Sequence, residues 1–320
     1  MSAPPLPRVS VIVVNWNVRA LLHECLRSLY ADGGLPADAL QVIVVDNASH
    51  DGSVAMVRAD FPQVECIANA DNVGFGRANN QVLDRCRAPF VLLLNPDTRV
   101  LPGAIASLLQ VMDEDPRIAA VGARLLNADG SLQRWTGGAY PRLANVANHY
   151  LFVDRLLPRR WRLPPLYLDH DAPRDLDVDW VSGAVMLLRG SALGGRLFDP
   201  DYFMYGEDMA LCHRLKQAGG RIVYTPRASF VHYQGESMKQ QQGDVLLSSL
   251  KGPRQFYRKL RGERAVRLYD LVTVAGFGLR WAAFGLAARW RGDPALAARA
   301  ASSAGLARRA WRIFRDPRAG

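Results

Sequence analysis

The sequence predicts an α/β domain, with a doubly wound, mostly parallel sheet and helices on both faces, followed by a C-terminal helical appendage. Three observations carry this expectation. First, short runs that read as buried strands recur at Val9-Ser10-Val11-Ile12-Val13-Val14, Val42-Ile43-Val44-Val45 and Phe90-Val91-Leu92-Leu93-Leu94, the last uninterruptedly apolar, with a weaker one over residues 64–68. They are too short for helices and apolar on both faces, as strands buried in a parallel sheet are. Second, segments of helical spacing separate them, which gives a β-α-β-α-β-α-β alternation with short loops. Third, the runs end on polar residues, at Asn15, Asp46 and Asn95-Pro96-Asp97. Parallel strands share a direction, so these ends fall on one edge, where open α/β sheets bind ligands.

The elements follow in order. Residues 18–30 carry Leu21, Leu22, Cys25, Leu26 and Leu29 at helical spacing, and Gly33-Gly34 and Pro36 break the helix. Asp51-Gly52-Ser53 opens a second helix, and a third runs from about Gly76 to Arg87. The run Phe90 to Leu94 stops at Pro96, because proline cannot donate to a sheet ladder. A helix is expected over residues 102–112, then a strand over 119–126 and a turn at Asp129-Gly130-Ser131. Residues 135–176 show no clean period and read as a long, irregular or partly helical excursion beside an acceptor site. One strand is expected over residues 178–189, a helix over 207–218 and two extended segments over 221–224 and 228–233.

Composition narrows the function classes. The 320 residues are 49% hydrophobic, ample for a core. The 4 cysteines form no CxxC pair, so neither a zinc site nor a disulfide framework is indicated, and a reduced, cytosolic setting fits. Residues 1–8 lack the apolar core of a secretion signal. The net charge of +10 is concentrated late: residues 251–320 hold 16 Lys and Arg against 4 Asp and Glu, which leaves residues 1–250 at −2. A basic tail containing tryptophans points to an anionic membrane surface. Nucleic acid is disfavoured, because the basic residues accompany apolar helices.

Several residues carry chemistry. Asp97, at the carboxyl end of a buried strand, either holds a divalent metal and through it a diphosphate, or caps the next helix. Asp46 either accepts from a nucleotide base or ribose, or bonds its own turn. Asn72-Val73-Gly74-Phe75-Gly76-Arg77-Ala78-Asn79 resembles a dinucleotide fingerprint, but its third glycine is Asn79 and it follows the third strand. Glu207 and Asp208 open a helix. Asp208 shares a face with Cys212 and Leu215, so it heads the buried side while Glu207 points elsewhere. An ionised carboxylate there suits a general base, and equally a helix cap. His232 ends a strand and, with Asp97, makes a mixed oxygen and nitrogen site suited to Mn or Mg.

Taken in order, these motifs resemble the inverting glycosyltransferases of family 2, which have the nucleotide-diphospho-sugar transferase (GT-A) fold, and most of all the rhamnosyltransferase branch of bacterial cell-surface polysaccharide synthesis. The resemblance rests on Val9 to Asn17, Val44 to Ser49 with Asp51-Gly52-Ser53, Asn72 to Gly76 with Asn79, and Leu94-Asn95-Pro96-Asp97. It continues through Asp129 to Gln133, Ser182-Gly183-Ala184, Phe198-Asp199, Phe203 to Asp208, and His232 with Gly235 and Ser237. It covers residues 8–260, so a catalytic domain over 1–260 and a basic amphipathic helical tail over 261–320 are expected. It implies donor contacts at Asn15, Asp46, Asn47, Asn72, Gly76, Asn79, Asn95 and Asp97, and acceptor contacts at Trp180, Gly183 and Ala184. It further implies a divalent metal, Mn or Mg, on Asp97 and His232, with Asp208 as base and Glu207 as second candidate. The departure is Ala210, where relatives often carry a further carboxylate.

The activity implied is metal-dependent, inverting transfer of a sugar, L-rhamnose from dTDP-rhamnose in the first instance, to a hydroxyl of a lipid-linked or polysaccharide acceptor. The alternatives are a polyprenyl-phosphate glycosyltransferase and a non-catalytic nucleotide-sugar-binding membrane scaffold. The expected location is cytoplasmic, peripheral on the inner face of the plasma membrane. In the tail, residues 271–288 are apolar but carry Arg280 near the middle, a costly charge for a spanning helix, so an interfacial or hairpin helix is expected, then a second helix over 295–314.

Overall fold

The computed structural model describes residues 6–315 apart from 135, 152–157, 159–165, 169–171, 203–205 and 234–244. It divides into two compact units, residues 1–138 with 167–243, and residues 139–166 with 244–320. The sequence expects the boundary at 260; the structure parts the units between 243 and 244 and assigns 139–166, much of the aperiodic excursion, to the second.

The first half of the larger unit follows the expected alternation. Strands β1 (Val9–Asn15), β2 (Leu40–Asp46), β3 (Glu65–Ala68) and β4 (Phe90–Leu94) pair in parallel in the order β3-β2-β1-β4. Helices α1 (Arg19–Asp32), α2 (Ser53–Asp60) and α3 (Phe75–Gln81) make the crossovers. Val11, Val13, Val44 and Leu92 share one apolar cluster with Leu22, Leu26 and Val57. The alternate residues Ile12, Ile43 and Leu93 are equally buried, so both faces of the sheet are covered. Burying such a side chain contributes about 1.5–3 kcal/mol. Helix α3 stops at Gln81, short of the expected 87. Asn79 turns its side-chain amide onto the Phe75 carbonyl at 2.9 Å, a local bond that competes with helix continuation.

Next come β5 (Thr98–Val100), α4 (Ala104–Glu114), β6 (Ile118–Leu126), β7 (Gly137–Gly138), α5 (Leu143–Leu151, in the second unit), β8 (Leu176–Asp177), β9 (Trp180–Val181), β10 (Val185–Arg189), α6 (Glu207–Gln217) and β11 (Arg221–His232). Among the described residues the main sheet has nine strands, and this half of it is mixed. Strand β10 enters antiparallel between β4 and β6, β11 runs parallel to β6, and β5 closes the edge antiparallel to β11. The single strand expected over 178–189 is broken at Ser182-Gly183-Ala184, where the Ser182 hydroxyl accepts from the Ala184 amide at 3.2 Å. The break lets β9 pair with β7 while β10 joins the main sheet. Conversely, the two extended segments expected at 221–233 are one strand with a register shift between Thr225 and Ser229.

The second unit is helical: α5, then α7 (Val245–Arg261), α8 (Glu263–Arg291) and α9 (Pro294–Arg315). The expected helix over 271–288 lies within the continuous α8, and α9 turns back to pack on it. Gly292 takes a left-handed conformation at φ 62°, and the Asp293 carboxylate accepts from the Ala295 amide at 2.8 Å to start α9. Helix α5 lies directly on α8 at Gly276, where a Cβ would stand 2.4 Å from the Tyr150 Cβ. Arg280 donates to the His149 carbonyl at 2.7 Å and lies over the Tyr150 ring, so its charge serves the end of α5. Arg254 and Asp270 form a buried two-bond ion pair, at 2.8 and 2.9 Å, between α7 and α8.

Candidate active site

One edge of the sheet gathers almost every residue singled out above. Asn15 and Asp46 end β1 and β2 in direct register. The Asn15 amide donates to Asp46 Oδ1 at 2.7 Å and to the Ser49 hydroxyl at 3.1 Å. Asp46 Oδ2 accepts from the Ser49 backbone N–H at 2.8 Å. The carboxylate is 1% exposed in this state, and each oxygen keeps a second lone pair. Asn15 Oδ1 is buried without a protein partner. The loops leaving these strands hold Asn17 and Ala48 at φ 51° and 60°, a left-handed conformation that functional sites store at a cost of order 1 kcal/mol or more.

A chain of amides continues the edge. Gln81 donates to Asn69 at 3.0 Å, Asn69 donates to Asn47 at 3.0 Å, and Asn47 donates to the Gly74 carbonyl at 3.4 Å. Asn72 accepts from the Gly74 amide at 3.0 Å. This fixes the loop that opens α3. Gly76 packs closely, since a Cβ there would stand 3.2 Å from Phe198 Cβ and Phe198 would have to give by a few tenths of an ångström. Asn79 Oδ1 is buried and unpartnered.

Asp97 and His232 meet as expected: His232 Nε2 lies 3.3 Å from Asp97 Oδ1, both side chains nearly buried. Asn95 brings its Nδ2 to 3.4 Å from the same ring nitrogen. The other nitrogen, Nδ1, lies 2.7 Å from Gln133 Oε1. Nδ1–H therefore donates to Gln133, and in the neutral ring Nε2 turns a lone pair toward the Asp97 carboxylate. Two facing acceptors suit a cation. Among the described residues no cluster of three or more His, Cys, Asp and Glu side chains assembles. Two protein ligands nonetheless fit a Mg²⁺- or Mn²⁺-like ion that completes its shell with phosphate oxygens and water.

The carboxylates of α6 stand on the same edge. Gly206, at φ 89°, turns the chain into the helix. Asp208 Oδ1 accepts from the Met209 amide at 2.8 Å and Oδ2 from the Gly183 amide at 3.4 Å. The adjacent Ala184 carbonyl accepts from the Asn95 amide at 2.9 Å, so a short backbone path joins Asp208 to the Asn95–Asp97 turn. Burial pushes the Asp208 carboxyl above its ordinary range. Glu207 is pushed up as well, by burial first and by the neighbouring Asp208 charge second. Here the helical-face expectation is corrected: Glu207 is the more buried of the two, and its Oε2 has no partner. Glu207 is the first residue of α6, so the Gly206 turn steers its side chain as much as helical phase does.

Of the three acceptor candidates, Gly183 and Ala184 lie on this edge, while Trp180 is 3% exposed and packs edge-on to Tyr167. In this arrangement the Trp180 ring serves packing, and its acceptor contact stays a proposal. Sequence reading missed Asn80, whose Oδ1 accepts from the Leu197 and Phe198 amides at 3.1 and 2.8 Å. No local signal links positions 117 residues apart.

The mixed α/β sheet, with the order β3-β2-β1-β4-β10-β6-β11-β5 and helices about it, has the fold of the GT-A class. Solved structures agree in fold. A mannosyltransferase from Pyrobaculum calidifontis, solved with GDP-Man and Mn²⁺, aligns over 98% of this chain and 89% of its own, at a TM-score of 0.54 and 18% identity. GalNAc-T7, solved with UDP, GalNAc and Mn²⁺, aligns over 80% of this chain at a TM-score of 0.52 and 14% identity, and the chain spans half of its length. Residues 10–181 match the model of glycosyl transferase family 2, and the chain belongs to that family. Its relatives include N-acetylglucosaminyl-diphospho-decaprenol L-rhamnosyltransferase of Mycobacterium tuberculosis, 30% identical over 71% of this chain and 76% of the relative. Rhamnosyltransferase WbbL of Escherichia coli is 28% identical over 70% of this chain and 83% of its own length. The chain is thus a rhamnosyltransferase-like member of the family.

Proposed function

We propose that the chain transfers L-rhamnose from dTDP-rhamnose to a hydroxyl of a lipid-linked or polysaccharide acceptor in cell-envelope glycan synthesis, with inversion at the anomeric carbon. The observation that carries this reading is the short path from Asp208 through Gly183 and Ala184 to Asn95 and the Asp97–His232 pair. It sets a candidate base and a candidate diphosphate anchor on one edge. The rhamnosyltransferase relatives support the sugar, and the one acting on N-acetylglucosaminyl-diphospho-decaprenol supports a lipid-linked acceptor.

In this reading Asn15, Asp46 and Asn47 receive the nucleoside, while Asn72, Gly76 and Asn79 shape the adjoining loop. Asp97 and His232 hold a divalent metal, with Asn95 beside them. When bound, the metal supplies Lewis-acid stabilisation of charge on the departing diphosphate. Asp208 takes the proton of the acceptor hydroxyl. The acceptor oxygen forms its bond to the anomeric carbon as the bond to the nucleoside diphosphate breaks on the opposite face. The raised range of Asp208 suits a base working near neutral pH. Gly183 and Ala184 line the acceptor side.

The helical unit is read as a peripheral membrane anchor on the cytoplasmic face. Helix α8 is long and apolar enough to cross a membrane by length and composition, and little of its apolar stretch is buried. Arg280 is committed to α5, and Leu268, Leu271, Leu279 and Leu286 are exposed at helical spacing, with Trp281 and Trp290 also exposed. Arg264 and Arg267 stand near one end of this stripe and Arg289 and Arg291 near the other. An apolar stripe flanked by arginines and tryptophans suits a helix lying in the plane of an anionic bilayer.

The test is a thermal-shift screen of dTDP-, UDP- and GDP-sugars with and without Mn²⁺, followed by a transfer assay. Metal-dependent stabilisation by dTDP-rhamnose is expected, following ordinary ligand linkage. Stabilisation by another sugar nucleotide alone would replace the donor, and no transfer to any acceptor would overturn the reading.

A further inference from the structure

We propose that Gln133 is a positioning residue for the Asp97–His232 pair: its side-chain amide fixes which ring nitrogen of His232 faces Asp97. The inference rests on the reading that this pair anchors the metal.

Gln133 follows the Asp129–Ser131 turn and is 4% exposed. Its backbone amide donates to the Leu125 carbonyl at 2.9 Å. Its side-chain Nε2 donates to the His232 carbonyl at 3.1 Å and to Asn127 Oδ1 at 3.3 Å. The Asn127 amide is itself committed, donating to the Ser131 hydroxyl at 2.9 Å, so Asn127 offers Gln133 an oxygen. With Nε2 occupied by two acceptors, Oε1 is the atom left 2.7 Å from His232 Nδ1. An amide oxygen only accepts, so Nδ1 carries the proton.

The far side of the ring agrees independently. The Asn95 side-chain nitrogen lies 3.4 Å from Nε2, and it can donate to the ring only when Nε2 carries no proton. One neutral tautomer, with the proton on Nδ1, satisfies both contacts, and its Nε2 lone pair faces Asp97 Oδ1 at 3.3 Å. The opposite tautomer would put a proton on Nε2, bond it to Asp97 and close the pair to any cation. Gln133 prevents that closure. A hydrogen bond from the non-ligating ring nitrogen to a fixed acceptor is how metal-ligating histidines are commonly oriented.

The first measurement is ¹⁵N NMR of metal-free protein at a pH where His232 is neutral, with the resonance assigned by its loss in His232→Gln. The wild type is expected to show Nδ1–H, and an Nε2–H tautomer would overturn the proposal without any Gln133 variant. Gln133→Leu, which keeps the bulk and loses the acceptor, is expected to shift the ring toward Nε2–H. It is also expected to weaken Mn²⁺ binding in the presence of dTDP, read by electron paramagnetic resonance, by about 10–100-fold. Gln133→Glu, which keeps an acceptor for Nδ1–H, should restore both readouts to within a few-fold. Unchanged Mn²⁺ affinity in folded Gln133→Leu would overturn the proposal. Absence of Mn²⁺ binding by the wild type would instead overturn the metal reading, and the tautomer measurement would then decide the role of Gln133 by itself.

Discussion

The Asp208 carboxylate accepts from the Gly183 backbone amide at 3.4 Å, and this contact fixes the candidate base to the break between β9 and β10. Removing the charge while keeping the shape isolates the chemistry. Asp208→Asn should lower kcat by about 10²–10⁴-fold, the usual contribution of a general base. Donor KM and sugar-nucleotide thermal shifts should stay within a few-fold. Near-normal turnover would reassign the base, with Glu207 next in line.

Protonation of the same carboxylate should set the acid limb of the rate profile. Burial pushes Asp208 up to about 6, so kcat should rise as pH passes upward through that value and fall below it. A profile flat from pH 5 to 8 would show that no group of this kind limits turnover.

Glu207 makes a separate prediction about stability. Its folded-state pKa is raised above the ordinary carboxylate value, so the folded protein binds this proton more tightly than the unfolded chain. Its contribution to stability is therefore present at low pH and is lost as pH rises above the unfolded value toward the folded one. Glu207→Gln should stabilise the protein at pH 8 by on the order of 1 kcal/mol or more, and by much less at pH 5. Denaturant melts at the two pH values would decide it, and an equal effect at both would place the ionisation elsewhere.

Much of this site was legible because of period and punctuation. Apolar runs ending in Asn15, Asp46 and Asn95-Pro96-Asp97 specify strands, direction and edge together; the structure sets Asn15 and Asp46 in direct register and pairs β4 in parallel beside β1. The second half was less legible for physical reasons. Strand β10 is antiparallel and reaches its place only after the aperiodic excursion, so no local pattern announces its neighbours. The broken strand at residues 178–189 reads as continuous because Ser182-Gly183-Ala184 is compatible with extended backbone and only pairing with β7 reveals the break. Glu207 was misassigned because helical phase describes a helix interior better than its first residue. Trp180 offers an aromatic ring in a suggestive place, and only packing against Tyr167 shows that the ring is enclosed.

Asp97 and His232 should be separable by what each does to the metal. Asp97→Ala removes the anionic ligand and should abolish Mn²⁺-dependent stabilisation by dTDP-rhamnose and transfer alike. His232→Gln removes a neutral ligand and should weaken the metal requirement less, with activity partly recovered at raised Mn²⁺. If Asp97→Ala kept a Mn²⁺-dependent thermal shift, the diphosphate anchor would lie elsewhere.

The exposed stripe of α8 is tested by charge placed where lipid is expected. Leu271, Leu279 and Leu286 are exposed, at 48%, 45% and 70%, so acidic residues there remove no core packing. Exposed substitutions away from buried networks change stability by about 0.5 kcal/mol or less. A protein carrying Leu279→Glu and Leu286→Glu should keep its melting temperature and lose co-sedimentation with vesicles containing anionic phospholipid. Binding of the wild type should weaken at high salt, because the arginines at both ends of the stripe act through a screened potential. The apolar stripe would still hold part of the affinity, so binding that vanished wholly with salt would point to charge alone. Undiminished vesicle binding by the doubly substituted protein would show that α8 does not face the bilayer.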